Sequence, residues 1–450
     1  MDRSIHGDLD RAREFIAEGE NASLESFLAT LHPADIADIM QQIEPDEQVA
    51  VLKRLPRPLA AEVLTEIDKY SGQALLLLLS DRDVVSLLGE MRSDDAVDIM
   101  SAMSLERSER VEALLPTEDR EQIQELMEFD EETAGGIMEA ERIAVREDST
   151  ISDAIRLVRA SADEIENIQK VFIVDDRDVL VGHVRVLDLL LHPEDTPVRD
   201  VMKRSSVSVP VDMDQEEVAA LFGKYDEFTL PVVDANDKLV GRITVDDIID
   251  VMEEEASEDI VQIAGTTEEE LGATSPFKVS RNRLPWLITG LVGQVVAALI
   301  VSQFQVSLQT YVVLVFFIPL IVGTAGAIGM QAAVVVVREL ALGQIDLLRI
   351  GSRVSRELGV AIINWSVLGA ILFITAVVWQ RQLGLAVLLI VALLIAIVVA
   401  AMVGSSMPLV LRRWKVDPAV AAGPFVTVSN DIIGLVVYLS LATLYLAHFR

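Results

Sequence analysis

Cysteine is absent from the 450 residues. That excludes a disulfide framework and any thiolate metal site. Histidine is scarce, with five in all, and aromatic residues make up only 5%. Bases are outnumbered, 37 Lys and Arg against 71 Asp and Glu. So large an acid excess speaks against nucleic acid as a partner. It fits either a solvated surface or one that collects cations. The opening stretch MDRSIHGDLD carries no apolar run of the signal-peptide kind, so the acidic part is expected to stay in the cytoplasm. No Ser/His/Asp set, Gly-rich phosphate loop or His cluster is present, which makes an enzyme the least expected class.

What is present is segregated. Residues 284–450 hold five acids (Glu339, Asp346, Glu357, Asp417, Asp431) and nine bases, so this part is near +4 and residues 1–283 are near −38. Five stretches are long and apolar enough to span a bilayer: about Leu284–Phe304, Leu308–Val337, Leu358–Trp379, Leu383–Leu411 and Val420–Leu446. Pro319 with Gly323, Gly326 and Gly329 is expected to interrupt the second. Basic residues gather before the first stretch (Lys278, Arg281, Arg283), between the second and third (Arg338, Arg349, Arg353, Arg356), and between the fourth and fifth (Arg412, Arg413, Lys415). The positive-inside rule then places the N-terminal region in the cytoplasm and the C-terminus outside, which agrees with five crossings.

Asp431 is the acid well inside a span, in PFVTVSNDIIGLVVYLSLATLYLAHF. A charge at the bilayer centre costs roughly 2.5–3.5 kcal/mol on insertion scales. Either the bundle hydrogen-bonds it or it lines a cation path, and no Lys or Arg lies at similar depth to pair with it. Oxygen ligands alone suit hard ions such as Mg²⁺, Ca²⁺ or Mn²⁺. Mg²⁺ keeps most of its waters and uses one or two carboxylates, as a single Asp doubled by a symmetric dimer would provide. The residues leave Na⁺ or H⁺ coupling open.

The soluble part contains a duplication. KVFIVDDRDVLVGHVRVLDLL (170–190) and LPVVDANDKLVGRITVDDIID (230–250) align at an offset of 59, matching Asp178 with Asp237, Gly182 with Gly241 and Asp188 with Asp247. VREDSTISDAIRLV (145–158) resembles VPVDMDQEEVAALF (209–222) at an offset of 64. Each copy reads as strand, acidic turn, strand ending at Gly, and helix. The pair resembles tandem cystathionine-beta-synthase (CBS) domains, which implies an adenine nucleotide such as ATP as ligand. The Gly, Ser/Thr, Asp spacing of that family is met by Gly241, Thr244 and Asp247. The first copy keeps Gly182 and Asp188 but has Arg185 at the hydroxyl position. Thr244 also stands where a helix N-cap would.

Residues 8–130 read as short helices with Pro or Asp at their starts, an α-superhelix of stacked hairpins. Between the duplication and the first span lies DVMEEEASED, with Asp250, Glu253, Glu254, Glu255, Glu258 and Asp259 in ten residues. It is either a solvated acidic helix or a switch that divalent ions close by neutralising acidic faces.

In this order the whole chain resembles the MgtE family of magnesium channels, with AGGIM (134–138), DQEEVA (214–219), TVDDIIDV (244–251), VVVRELALG (335–343) and VDPA (416–419) close to family motifs. The resemblance implies a multidomain membrane protein: an α-superhelical N domain (1–134), CBS domains (135–199 and 200–257), a connecting helix (258–283) and a five-helix transmembrane domain (284–450). It implies a homodimeric Mg²⁺ channel whose pore uses the second and fifth spans, with Asp431 and Thr427 at the ion. Cytoplasmic Mg²⁺ would close it through Glu62, Asp94, Asp98, Gly136, Asp214, Glu216, Asp226, Asp247, Asp250, Glu255, Glu258, Asp259 and Asp417. Asp188 and Thr244 would be the nucleotide positions. The sequence departs from the family at Ala327, Met330, Ala332 and Gly423, where polar residues are common.

Overall fold

The computed structural model describes the chain except residues 1, 19–20, 163–164, 166, 205–206, 268–269, 271–274, 342–349, 415, 420–422 and 450. Arg349 and Lys415 of the basic loops, and the last two residues of VVVRELALG, lie outside the described residues. The chain forms two compact units, Met1–Val251 and Met252–Arg450.

The first unit opens with short helices, most of them 8–10 residues long. Their starts explain their shortness. Glu44 with Glu47 and Ser80 with Asp83 form capping boxes, and Asp68 accepts from the N–H groups of Tyr70 and Ser71. Each cap satisfies N–H groups that a helix start leaves bare. Alternate helices then pack together: Pro33–Met40 on Arg57–Thr65, Pro45–Leu52 on Lys69–Leu78, and Asp81–Leu88 on Leu105–Glu112. This is the expected superhelix, with Ile36, Met40, Val63, Leu75, Val84 and Met100 fully buried. Arg107 ties three of its helices. Its guanidinium donates to the carbonyls of Leu76 at 2.5 Å and Leu79 at 2.6 Å and to Asp81 at 3.0 Å.

The duplication folds as two matching sheets. β1 (Ala144–Arg146) runs parallel to β2 (Lys170–Val174), which pairs antiparallel with β3 (Leu180–Arg185). β4 (Val209–Pro210), β5 (Thr229–Val233) and β6 (Leu239–Thr244) repeat the pattern. The register shift falls at Ile173/Val174 in one sheet and at Val232/Val233 in the other, again 59 residues on. Asp178 (φ 63°) and Asp237 (φ 59°) make the left-handed turns that Asp tolerates better than most residues. Their carbonyls accept reciprocally from the Leu239 and Leu180 N–H groups at 3.1 and 3.0 Å, stitching the copies together. Gly182 and Gly241 are needed for close approach. A Cβ there would stand 2.5 Å from the Lys203 carbonyl oxygen or 2.7 Å from that of Glu139.

The helix leaving β6 spans Val245–Ile263. The connecting helix expected over 258–283 therefore starts earlier and ends at Ile263, and the next helix begins at Pro276. Capping explains the early start: the Asp247 carboxylate accepts from the Thr244 N–H at 3.1 Å.

In the second unit, five helices among the described residues are long and apolar enough to cross a membrane. The first span is Pro276–Gln303, the second Val313–Ala341, the third Ile350–Gln380, the fourth Leu383–Arg413 and the fifth Pro424–Phe449. The second starts at Val313 and not at Leu308, because Gln305–Thr310 forms a separate short helix. It runs unbroken through Pro319 and the three glycines, against expectation. Those glycines serve packing instead. Gly329 lies against Gly404 of the fourth span so closely that a Cβ on Gly404 would collide with the Gly329 backbone, and a Cβ on Gly329 would collide with the Asn430 amide. The fourth span, with Leu385, Leu389, Ala392, Leu393, Ala396 and Ile397 buried, is the bundle's central helix. The fifth is held to the second by Tyr438, whose hydroxyl donates to the Leu314 carbonyl at 2.8 Å.

Candidate metal sites

In the first unit, β6 is buried and yet carries Arg242. A buried guanidinium needs an acidic partner, and Glu139 supplies it, accepting from Nε at 2.9 Å and from a terminal nitrogen at 2.6 Å through one oxygen. Backbone pairing of Glu139 with Arg242, at 2.8 and 2.9 Å, holds the two together. The other Glu139 oxygen accepts from Arg92 at 3.0 Å. Arg92 precedes the helix Ser93–Ser101 and also reaches Asp95 (3.1 Å), Asp246 (3.3 Å), Asp247 (3.1 Å) and Asp94 (3.7 Å). Oxygens of Asp94, Glu139 and Asp247 lie within 4.8 Å of one another. Among the described residues this is the group of three or more carboxylates or imidazoles so gathered. Asp94 Oδ1 is buried without a hydrogen-bond partner there.

The electrostatics are those of crowded, desolvated acids. Burial, with the Asp95 charge beside it, holds the Asp94 carboxyl well above the usual range, against the pull of Arg92. Burial pushes Glu139 up to about 7, opposed first by Arg242, and it also raises Asp247. Burial works against the Arg92 charge too, but Asp94, Asp95 and Asp247 more than offset it. A divalent cation would relieve this strain, and three hard carboxylate oxygens are a donor set that Mg²⁺ accepts. Asp94 and Asp247 were expected here. Glu139, Arg92 and Asp246 were not, although a charged Arg242 in an otherwise apolar strand is a signal that a buried acid must meet it.

The remaining first-unit candidates do not converge on this group. Glu62, Asp98, Asp214, Glu216, Asp226 and Asp250 are exposed. Asp214 caps the helix Gln215–Tyr225 by accepting from the Glu216 N–H at 2.9 Å, and Asp226 ends that helix at φ 52°. Gly136 sits in the adjoining turn, bonded to Thr133, which bridges to Asp214. The nucleotide candidates are both engaged. Arg185 forks onto Asp188 with two 2.7 Å bonds, holding that carboxyl below its ordinary value. The buried Thr244 hydroxyl shares its one proton between Asp246 at 2.5 Å and Asp247 at 2.7 Å.

In the second unit, Glu255, Glu258 and Asp259 are half-buried on the acidic helix and Asp417 is exposed. Burial, then the Asp417 and Glu255 charges, push Asp259 up to about 6. Asp417 also accepts from the Ala419 N–H at 2.8 Å. The helix end reaches the fifth span at Gly423, where a Cβ would stand 3.0 Å from the Ile263 carbonyl. Glycine at 423 thus leaves room for that carbonyl. Deeper in the bundle, Asp431 accepts from Gln294 Nε2 of the first span at 2.9 Å. No ion pair forms on it among the described residues, as the sequence suggested. Thr427, one turn before, donates to the Gly423 carbonyl at 3.0 Å and keeps its oxygen lone pairs. Asn430 is buried, with neither amide atom hydrogen-bonded among the described residues.

Comparison with known proteins accords with this architecture. Residues 318–441 match the family described as divalent cation transporter, MgtE, and residues 31–132 match the MgtE intracellular N domain. Residues 134–195 and 198–254 each match the CBS domain. The chain is similar to the magnesium transporter MgtE of Thermus thermophilus, 33% identical over 439 residues, which cover 96% of this chain and 97% of that one. It is also similar to the magnesium transporter MgtE of Enterococcus faecalis, 35% identical over 333 residues, 74% and 73% of the two chains. Among solved structures, it resembles the cytosolic domain of the Mg²⁺ channel MgtE in complex with ATP, at 33% identity and TM-score 0.52, over 54% of this chain and 99% of that one. The soluble part of a magnesium transporter matches with 28% identity and TM-score 0.52, over 56% and 99%.

Proposed function

The chain belongs to the MgtE family of magnesium transporters, and from that premise we propose that it is a Mg²⁺-selective channel closed by cytoplasmic Mg²⁺. The observation that carries the channel reading is Asp431: a carboxylate within a membrane-spanning helix, held by a neutral amide and not by a cation. A fixed negative charge in that setting attracts a cation that keeps its water. Two copies of the chain would face two such carboxylates across an axis, with the second and fifth spans lining the path and Thr427 adding a hydroxyl oxygen. The N-terminal units would lie in the cytoplasm and the C-terminus outside, following the basic loops.

Two acidic groups support the gating reading. Asp94, Glu139 and Asp247 crowd around Arg92. Asp259, Glu255 and Asp417 repel one another near the start of the fifth span. Mg²⁺ bound at either would remove repulsion and favour the compact, closed form. Arg92 acts as a tethered cation in the first group, so an entering ion must share or displace it. Glu62, Asp98, Gly136, Asp214, Glu216, Asp226, Asp250 and Glu258 would serve the same sensing surface. The CBS pair would take an adenine nucleotide, as the similar ATP-bound structure suggests.

The test is Mg²⁺ uptake into liposomes at low internal Mg²⁺. Wild type is expected to conduct and Asp431→Asn to lose uptake by at least about a hundredfold, the scale of a lost charge at a desolvated site. Equal uptake by both would remove Asp431 from the ion path. Dependence on a proton or sodium gradient, without single-channel currents, would make the protein a coupled transporter.

A further inference from the structure

We propose that Gln294 of the first span is a positioning residue for the pore carboxylate, so that the first span takes part in selectivity although it does not carry the charge. The inference rests on Asp431 being in the ion path.

Three observations converge. Gln294 Nε2 donates to Asp431 Oδ2 at 2.9 Å, across 137 residues of sequence. The preceding residue makes this reach feasible. A Cβ on Gly293 would stand 2.6 Å from one Val428 methyl and closer still to the other, so the first span lies flush on the fifth at that point. Val428 and Asp431, three residues apart, share a helix face, which places Gln294 beside the carboxylate. The other oxygen, Oδ1, faces the second span at Gly326, where a Cβ would stand 3.6 Å away. That glycine is buried and presents no methyl to the oxygen.

The chemistry favours an amide in this role. A Lys or Arg would orient Asp431 but cancel its charge. An amide donor fixes one oxygen and leaves the full negative charge on the group. With Oδ2 held, Oδ1 keeps its lone pairs in one direction for the water shell of a passing cation. Discrimination between Mg²⁺ and the larger, more flexibly coordinated Ca²⁺ depends on such rigidity. A carboxylate free to rotate would serve both ions.

The experiment is uptake by the full-length protein in liposomes, with Mg²⁺ alone and with Ca²⁺ competing. For Gln294→Ala, uptake is expected to persist, while the preference for Mg²⁺ over Ca²⁺ falls about tenfold, the lower end of what a hydrogen bond to a charged group supports. Gln294→Lys is expected to pair with Asp431 and drop uptake to the level of Asp431→Asn. If the alanine variant does not fold, Gln294→Met, close in volume and without a donor, gives the same readout. Unchanged ion preference in Gln294→Ala or Gln294→Met, together with full uptake by Gln294→Lys, overturns the proposal while Asp431→Asn stays dead. Full uptake by Asp431→Asn overturns the underlying pore reading instead. Gly326→Ala is an independent check: a methyl in contact with Oδ1, at 3.6 Å, is expected to lower Mg²⁺ uptake, and unchanged uptake would count against Oδ1 facing the ion.

Discussion

The two copies of the CBS repeat share backbone register, turn geometry and a carboxylate at equivalent positions, Asp188 and Asp247, yet they neutralise it differently. In the first copy the charge is cancelled locally: Arg185, three residues away, forks onto Asp188. In the second the equivalent residue is Thr244, which donates its N–H and hydroxyl to Asp247 and brings no charge. Asp247 must then be met from afar, by Arg92. The neighbouring positions diverge in the same way. His183 pairs through its backbone with the exposed Lys203, whereas Arg242 pairs with the buried Glu139. One substitution pattern yields a self-contained copy. The other yields a copy whose charges are completed by Glu139 and by Arg92 of the N-terminal region, and among the described residues it is the copy that gathers three carboxylate oxygens. On the proposed gating reading, a duplication with one locally neutral end and one end of crowded carboxylates would make half of a symmetric scaffold ion-sensitive.

The largest effect that would break this contrast is expected from Glu139→Ala. It leaves the buried Arg242 guanidinium without its side-chain acceptor, and removing one partner of a buried pair costs roughly 3–5 kcal/mol. The equivalent change in the other copy, Lys203→Ala, removes an exposed side chain and should cost under about 0.5 kcal/mol. Thermal midpoints of the two purified variants compare them directly, and equal losses would mean the copies are energetically alike.

Arg92→Gln comes next. Without its tethered cation, the Asp94, Glu139 and Asp247 group should need metal more, so added Mg²⁺ should raise the thermal midpoint of the variant more than that of wild type. A Mg²⁺ response identical in both would place the sensing ions elsewhere. Arg185→Gln, its counterpart, opens a surface pair worth about 0–1 kcal/mol and should leave the Mg²⁺ response alone.

The smallest effects concern pH, and the two copies should slope in opposite directions. Burial, with Lys170 nearby, depresses His183 to about 4. Between that value and its ordinary 6.5 the unfolded chain binds the extra proton, so the first copy loses stability as pH falls through 6.5. Glu139 is raised to about 7 from 4.5, so in that window the folded chain binds the proton, and acidification relieves the second copy. Hydrogen exchange of β3 and β6 between pH 4.5 and 7 reads both slopes. His183→Gln should flatten the first alone.

Much of the architecture was legible along the chain because it depends on local pattern. Five apolar runs, the basic loops, the offsets of 59 and 64 and the Pro/Asp helix starts each follow from residues a few positions apart. Asp431 stood out for the same reason, as one acid in an apolar run. Span limits shifted where a local feature won, as at Tyr311, which separates Gln305–Thr310 from the second span. Pro319 did not break that span, since the fourth and fifth spans pack along it.

The sequence by itself determined where the membrane lies, which part is acidic, that a unit is duplicated, and which carboxylate is isolated in apolar surroundings. Periodicity and composition suffice for these because every contributing residue is a neighbour in the chain. Only the tertiary structure decided what those charges meet. Glu139 and Arg242 join across 103 residues, Arg92 and Asp246 across 154, and Gln294 and Asp431 across 137. Such partners are selected by the cost of leaving a charge or donor bare in a desolvated place. That cost is set by which helix or strand packs alongside, and no local spacing records it.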